Sequence, residues 1–517
     1  MNGLNNSEHD DHEQPSERTA LLANINAPPH LDAFEYPPIE PVILQITAKG
    51  ISSCGSSDWC PNPLSSLAVQ TAFSLVVLLE LRKIVSSGAS RSQQIWEQWS
   101  QEQEDAETLQ YLDHHVLSVW SEFLSEERSA EEIESALWQP FPVRHESLRL
   151  LRVVDFLCYR GAPRELLEHR IVYFSFIQTW KYGRRIQGRN PALSVRLIRI
   201  YDALCTPRVL HAVALVLHLS YLALLTHFVL FPPVRSVSTV RSPTPDLREA
   251  LLMIYSGARL LQTWSLGTCP FLLVLLVFLY CLPSVPFPDG LAYSVLLFAF
   301  SWNVIELHIP RAPSPIFLFP FPRILPLAVL IWQGISRIFF PVVMFFLPAL
   351  LLSLFLLSTS LSDIFSHLLT VDSLDPAPME TRVAFISLFA VIFSLLLCSI
   401  IMLVLVYPSL PLDTQAHSPW DQYSKPVGLE ARRALVRIVV AYCAPYAFPA
   451  PFNLVELLTV RLPVSLATVL GWKEVAMRFE VVERVFWRMT IGPIAAMVAG
   501  GWVWGLRDPR RGYGHYH

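Results

Sequence analysis

The sequence predicts an all-α polytopic membrane protein, with six transmembrane helices, an N-terminal cytosolic helical domain before them and membrane-associated helices after them. Two observations carry this expectation. Hydrophobic residues make up 52% of the 517 and charged ones only 16%, with a mean hydropathy of +0.40; a soluble chain carries about 25% charged residues. From residue 206 onward long apolar runs recur. The purest is Thr381–Tyr407, which has no charge between Val383 and Val406, and roughly 20 apolar residues suffice to cross a bilayer. The net charge of −4 is too small to suggest nucleic acid. Eight cysteines, at 54, 60, 158, 205, 269, 281, 398 and 443, are scattered, and those in apolar runs act as small hydrophobes. Cys54 and Cys60 lack the second pair that a four-ligand zinc site needs. The sequence holds no Walker loop, G-x-S-x-G elbow or H-E-x-x-H helix, so no enzyme, cofactor or bound metal is expected.

Residues 1–60 form a polar tail whose composition predicts disorder. They show no basic start followed by an apolar run, so insertion is expected to use the internal spans. Within the tail, Glu17-Arg-Thr-Ala-Leu21-Leu22 matches the acidic dileucine sorting signal E-x-x-x-L-L. Adaptors read that signal in cytosolic tails, and it points to an endosomal or vacuolar membrane.

Residues 61–205 are predicted to be a cytosolic linker helical domain. Leu67–Leu79 is apolar but short for a span, and reads as a buried core helix. Between Glu97 and Glu134 twelve acidic residues meet one basic residue, Arg128. In that block Leu109, Leu112, Val116, Val119 and Phe123 keep helical spacing and form one apolar face. Asp113-His114-His115 offers metal-ligand types, but the simpler reading is two solvated histidines on a helix. Two further helices are expected around Ser147–Tyr159 and Glu165–Tyr182. From Arg160 to Arg208 the charge reverses, with ten Lys or Arg against Glu165, Glu168 and Asp202. The positive-inside rule puts such a block on the cytosolic face, and it also offers contacts to anionic lipid headgroups, a phosphoinositide among them.

The first four spans are expected within residues 206–310. Val209–Phe231 is long and apolar. Asp246–Ser265 carries Arg248, Glu249 and Arg259 and must face protein or an aqueous crevice rather than lipid. Gly267–Leu282 and Gly290–Leu307 follow. Six prolines between Pro310 and Pro326 then exclude a helix there. Six spans would leave both termini in the cytosol. The loop charges agree: Arg235, Arg241 and Arg382 face six acids on the lumenal side, while Arg311, Arg323, Arg337, Lys425, Arg432, Arg433 and Arg437 line the cytosolic joints. No internal repeats suggest a transporter built from two halves.

Residues 311–407 read as a surface helix followed by a pore-type helix-loop-helix. Arg323–Arg337 is expected to lie along the membrane surface, the fifth span is Ile338–Ser358, and Thr381–Tyr407 is the sixth. That order is the pore unit of a six-span cation channel, and it is also simply two adjacent transmembrane helices, the plainer reading of this stretch alone.

Residues 408–517 carry the resemblance. Ser418-Pro-Trp-Asp-Gln-Tyr-Ser leads into an Arg-rich helix from Leu429, then to Pro451-Phe452-Asn453-Leu454-Val455-Glu456 and a further amphipathic helix. This order resembles the fungal vacuolar TRP-like (transient receptor potential) calcium channel family, of which the chain looks like a divergent member. The resemblance covers residues 206–505, with less likeness in the helical region before them. It implies a homotetrameric, calcium-permeable cation channel of the vacuolar membrane. The chain departs from the family at RDPRRGYGHYH, where the acidic calcium-sensing tail is missing. The alternative from another class is a non-conducting membrane scaffold that keeps the channel fold.

Two sets of residues would build the pore. Ser387, Ser394 and Cys398 share one helical face and either line the pore or mediate helix packing. Between Gly334 and Gly428 there is no glycine, so a carbonyl filter of the potassium type is not expected. The loop instead offers Asp363, Asp372, Asp375 and Glu380 without a Lys or Arg among them. They form either a weakly selective acidic ring or an exposed acidic loop over a closed bundle.

Overall fold

The computed structural model describes residues 36–51, 66–87, 95–144, 150–159, 161–183, 205–232, 245–262, 266–286, 290–336, 344–354, 418–443, 447–470 and 473–505, with single positions at 54, 59, 60, 64 and 341 and between 383 and 397. The described chain is overwhelmingly helical. It divides into two compact units, residues 1–304 with 435–517, and residues 305–434.

The first unit begins with α1 (Glu40–Lys49), α2 (Leu67–Ser86), α3 (Ile95–Phe123) and α4 (Ala130–Trp138). The core forms around α2. Ser66 caps it by accepting from the Val69 amide at 3.3 Å, and twelve of its 20 residues are buried. Such all-round apolarity requires enclosure, and α1, α3, α4 and the short α5 (Val153–Leu157) supply it. From the apolar face of α3 that the spacing predicts, Leu112, Val116 and Phe123 are buried while Leu109 and Val119 are half-buried, and Trp120, outside that set, is buried as well. Outside this face Arg82 forks onto Asp113 at 2.5 and 3.1 Å. A Ser129–Glu132 capping box starts α4.

One expectation fails here. In place of a helix over Ser147–Tyr159, β2 (Leu150–Leu151) pairs antiparallel with β1 (Phe141–Pro142), and α5 starts only at Val153. The cause is local: the Asp155 carboxylate accepts from the Arg152 amide at 3.1 Å, which makes Arg152 the first residue outside the helix. Then come α6 (Arg164–Glu168) and α7 (Arg170–Tyr182). Cys158 lies among these elements, and burial pushes its thiol up to about 12, so it packs as an inert hydrophobe.

The helices of the apolar half follow. α8 (Pro207–Leu230) has Thr206 as its cap and Pro207 in its first turn. α9 (Leu247–Gln262), α10 (Cys269–Cys281) and α11 (Leu291–Glu306) come next. Among the described residues α8 is the one helix long and apolar enough to cross a membrane. α10 and α11 are apolar but have 13 and 16 residues; at about 1.5 Å per residue they fall short of the roughly 30 Å hydrocarbon core.

The second unit contains a 3₁₀ turn at Pro315–Leu318, α12 (Phe321–Gly334), α13 (Met344–Leu354), a 3₁₀ turn at Pro419–Asp421 and the start of α14 (Lys425–Tyr442). α12 buries Leu325, Pro326 and Val329 and packs on both turns. Pro326 therefore sits inside a helix that begins two residues before Arg323, at the cost of one backbone hydrogen bond. Arg432 reaches Asp421 at 2.9 and 3.1 Å, and Arg433 reaches Glu430 at 3.2 Å. Both arginines are buried and thus hold the fold together, whereas the loop tally treats them as cations at the membrane face. Gly428 fits where no side chain would, since a Cβ there would lie 2.7 Å from the Trp420 carbonyl oxygen.

The chain closes, in the first unit, with α15 (Phe452–Glu456), a π turn (Leu457–Arg461), α16 (Leu462–Val469) and the 33-residue α17 (Lys473–Gly505).

Candidate functional site

α8 and α9 meet through polar aromatic groups. The Tyr221 and Tyr255 rings stack with centroids 4.6 Å apart, and the Tyr221 and Ser256 hydroxyls share a hydrogen bond of 3.2 Å. Phe271 of α10 closes the group at 5.6 Å from Tyr221. At the far end of the pair, Arg248 lies 2.8 and 3.0 Å from Glu249. It also contacts Nδ1 of His227 at 2.9 Å and donates to the Phe231 carbonyl at 3.3 Å. Glu249 is 2% exposed. The charges of Arg248 and Glu249 are thus met by protein groups.

The C-terminal motif docks on the other end of α9. Asn453 donates through Nδ2 to the Ala258 carbonyl at 2.7 Å. Gln262 accepts from Arg259 at 2.9 Å and donates to the Phe448 carbonyl at 3.1 Å. Trp487 of α17 donates its indole N–H to the Ala447 carbonyl at 3.1 Å. Leu210, Phe448, Trp487 and Ile491 form a buried cluster with Tyr442 and Phe452 against it. His211, fully buried, lies between Trp180 of α7 and Tyr442 of α14 at 5.6 and 5.2 Å. Burial pushes the Tyr442 phenol up, so it stays neutral. The linker domain, the first long apolar helix, the end of α9 and the C-terminal motif therefore converge on one junction.

Within the motif, Pro451 precedes the helix and its carbonyl accepts from the Leu454 amide at 3.2 Å. Glu456 is 3% exposed and takes Arg461 at 2.5 and 2.6 Å. Burial raises the Glu456 carboxyl against the opposing pull of Arg461. These partners are five residues apart. An α-helix brings i+3 and i+4 together; the wider π turn over Leu457–Arg461 brings i+5 onto one face.

The residues predicted from sequence fall into three groups. Pro451, Phe452, Asn453, Leu454 and Glu456 are all at the junction. Ser387 and Ser394 are helical and exposed, and Ser394 donates back to the Ala390 carbonyl at 2.7 Å. The sorting residues Glu17, Leu21 and Leu22, the acids Asp363, Asp372, Asp375 and Glu380, and Cys398 lie outside the described residues. His115 departs from expectation: it is half-buried, against Trp59 at 5.8 Å and Tyr111 at 4.3 Å, while His114 is exposed. Among the described residues no cluster of three metal-ligating side chains occurs.

Sequence reasoning missed Gln262, Tyr442 and Trp487 as junction residues. Trp487, Ile491, Ala495 and Ala499, spaced four apart, were the available signal for a buried stripe. Gln262 and Tyr442 gave none. No protein-family model matches the chain, and no curated protein matches it.

Proposed function

We propose that this chain is the subunit of a TRP-like cation channel in an intracellular, vacuolar or endosomal, membrane. In this reading it has six spans in the order given by the sequence, assembles as a homotetramer, and is weakly selective and permeable to calcium. Anionic lipid is its partner on the cytosolic side, and Glu17, Leu21 and Leu22 are its sorting signal. The observation that carries the proposal is the docking of Asn453 on Ala258 with Phe448 and Trp487 around it. A segment after the last span that grips the second span is a suitable linkage between a pore and the helices beside it. Exposed apolar side chains add support. Phe345, Leu351 and Leu352 of α13 are 78, 56 and 55% exposed, and Val383, Ile386 and Phe393 are 58, 58 and 59%. Surface of that kind calls for lipid or further subunits to cover it.

Purified protein in planar bilayers tests the reading, with the Asp372→Asn/Asp375→Asn double variant beside the wild type. The expected outcome is a cation current whose preference over anions falls in the variant. An unchanged preference removes the acidic ring, and no current from either protein at any lumenal calcium level replaces the channel by a scaffold.

A further inference from the structure

The charges of α17 are unevenly placed. Lys473, Glu474, Arg478, Glu480, Glu483, Arg484 and Arg488 all lie in its first half, and no charged residue occurs from Met489 to Leu506. The two halves also have different surroundings. Trp487 and Ile491 pack with Leu210 near the start of α8. Further along, Ala495 and Ala499 pack with Val209 and Val213, flanked by Val498 and Leu217. Cys205 flanks both groups, and Leu217, the furthest of these residues along α8, flanks only the second. The two alanines, four apart, allow the close approach typical of helix pairs in lipid. The opposite face has no such cover: Met489 is 73% exposed and Met497 69%, with Pro493 between them also exposed.

We infer that residues 489–505 of α17 enter the bilayer beside α8 and parallel to it, with the face of Met489, Pro493 and Met497 against lipid acyl chains. The chain end then emerges on the face opposite the N-terminal domain, where an even number of spans would have returned it to the cytosol. The inserted part is about 25 Å long at 1.5 Å per residue, roughly 5 Å less than the hydrocarbon core, a mismatch that local thinning of the bilayer accommodates. It is less apolar than α8, carrying Gly492, Pro493, Gly500 and Gly501; one face needs no lipid because α8 covers it. Arg507, Arg510 and Arg511 follow, against the positive-inside tendency. Packing on α8 sets the direction here. The inference rests on α8 crossing the membrane and is independent of conduction.

The test uses full-length protein in sealed vesicles with the N-terminal domain outside. One protein carries an epitope at the C-terminus; a second carries it between Ser236 and Val237, in the connection from α8 to α9. Protease is expected to spare both epitopes until detergent is added. A digested C-terminal epitope beside a protected one at 236 overturns the inference and leaves α8 in place. Digestion of both removes the membrane reading of α8 as well. Independently, Met497→Cys should give no labelling by a membrane-impermeant maleimide above the wild-type background, while Val482→Cys labels. Equal labelling of the two also overturns the inference. The epitope readout alters nothing within α17, so it stands even where Met497→Cys fails to fold.

Discussion

α2 and α8 are both long and apolar, yet only one of them is enclosed by its own chain. α2 buries Phe73, Leu75, Val76 and Leu78 to 1% exposure or less under α1, α3, α4 and α5. In α8 only 39% of the most apolar stretch is buried, and Val216, Leu219 and Leu230 remain 50, 46 and 66% exposed. A helix without a polar face is stable in a protein core or in hydrocarbon, and composition alone does not choose between them. The neighbours choose. Around α2 the chain supplies helices with matching apolar stripes; around α8 it supplies α7, α9, α10 and α17 and still leaves a run of apolar side chains exposed.

The largest expected effect breaks this comparison directly. Phe73→Ala removes a ring set edge-on to Phe141 at 5.3 Å in a closed core, and should cost about 3–5 kcal/mol. Leu219→Ala removes atoms from a half-exposed site and should cost less than about 1 kcal/mol. Protease resistance in purified protein reads both, the N-terminal domain for the first and the α8 segment for the second. Equal losses would mean that α2 is no more a core helix than α8 is.

Much of this organisation was legible from local signals. The apolar run at Leu67–Leu79 ends at Glu80, Arg82 and Lys83, too soon for a span, and becomes the core helix. The stripe of Leu112, Val116 and Phe123 marks the inward face of α3 because helical period and burial coincide there. Arg248, Glu249 and Arg259 pointed to protein or an aqueous crevice, and Arg248 and Glu249 meet protein groups. Long-range partners were not legible. Asn453 and Ala258 are separated by 195 residues, and an Asn has the same sequence signature whether it meets a carbonyl or water. The β1–β2 pair was hidden because two-residue strands carry no period. His114 and His115 are adjacent in sequence, so which one turns inward depends on the helix phase and on Trp59 opposite.

A smaller effect sharpens the same comparison at the junction, where α8 and α9 do find partners. Asn453→Ala removes one hydrogen bond, worth about 1 kcal/mol. Asn453→Asp is expected to be worse, because it turns an acceptor onto the Ala258 carbonyl. Hydrogen exchange of the segment 447–456 should rise roughly fivefold in the alanine variant and further in the aspartate. If Asp exchanges no faster than Ala, the Asn453 side chain is not donating to that carbonyl.

The smallest effect lies in how the enclosed domain answers to pH. His115 has its pKa lowered from 6.5, first by burial and then by His114. His169 is lowered by burial, and its Nδ1 accepts from the Ile171 amide at 3.3 Å, which requires that nitrogen unprotonated. In both cases the folded state holds its proton less tightly than the unfolded one. The stability each contributes is therefore full above pH 6.5 and is lost as pH falls through 6.5 toward the lowered folded value. Glu40 and Glu132 are lowered from 4.5 by Arg144 and Ser129 respectively, so both stay ionised between pH 7.5 and 5.5 and add no slope there. The N-terminal domain should be less stable at pH 5.5 than at 7.5, by less than the roughly 1 kcal/mol of a single hydrogen bond, as read from protease resistance in urea. His169→Asn keeps a capping acceptor that does not titrate, and should flatten part of the slope. A slope unchanged in His115→Phe/His169→Asn would assign the pH response to other groups.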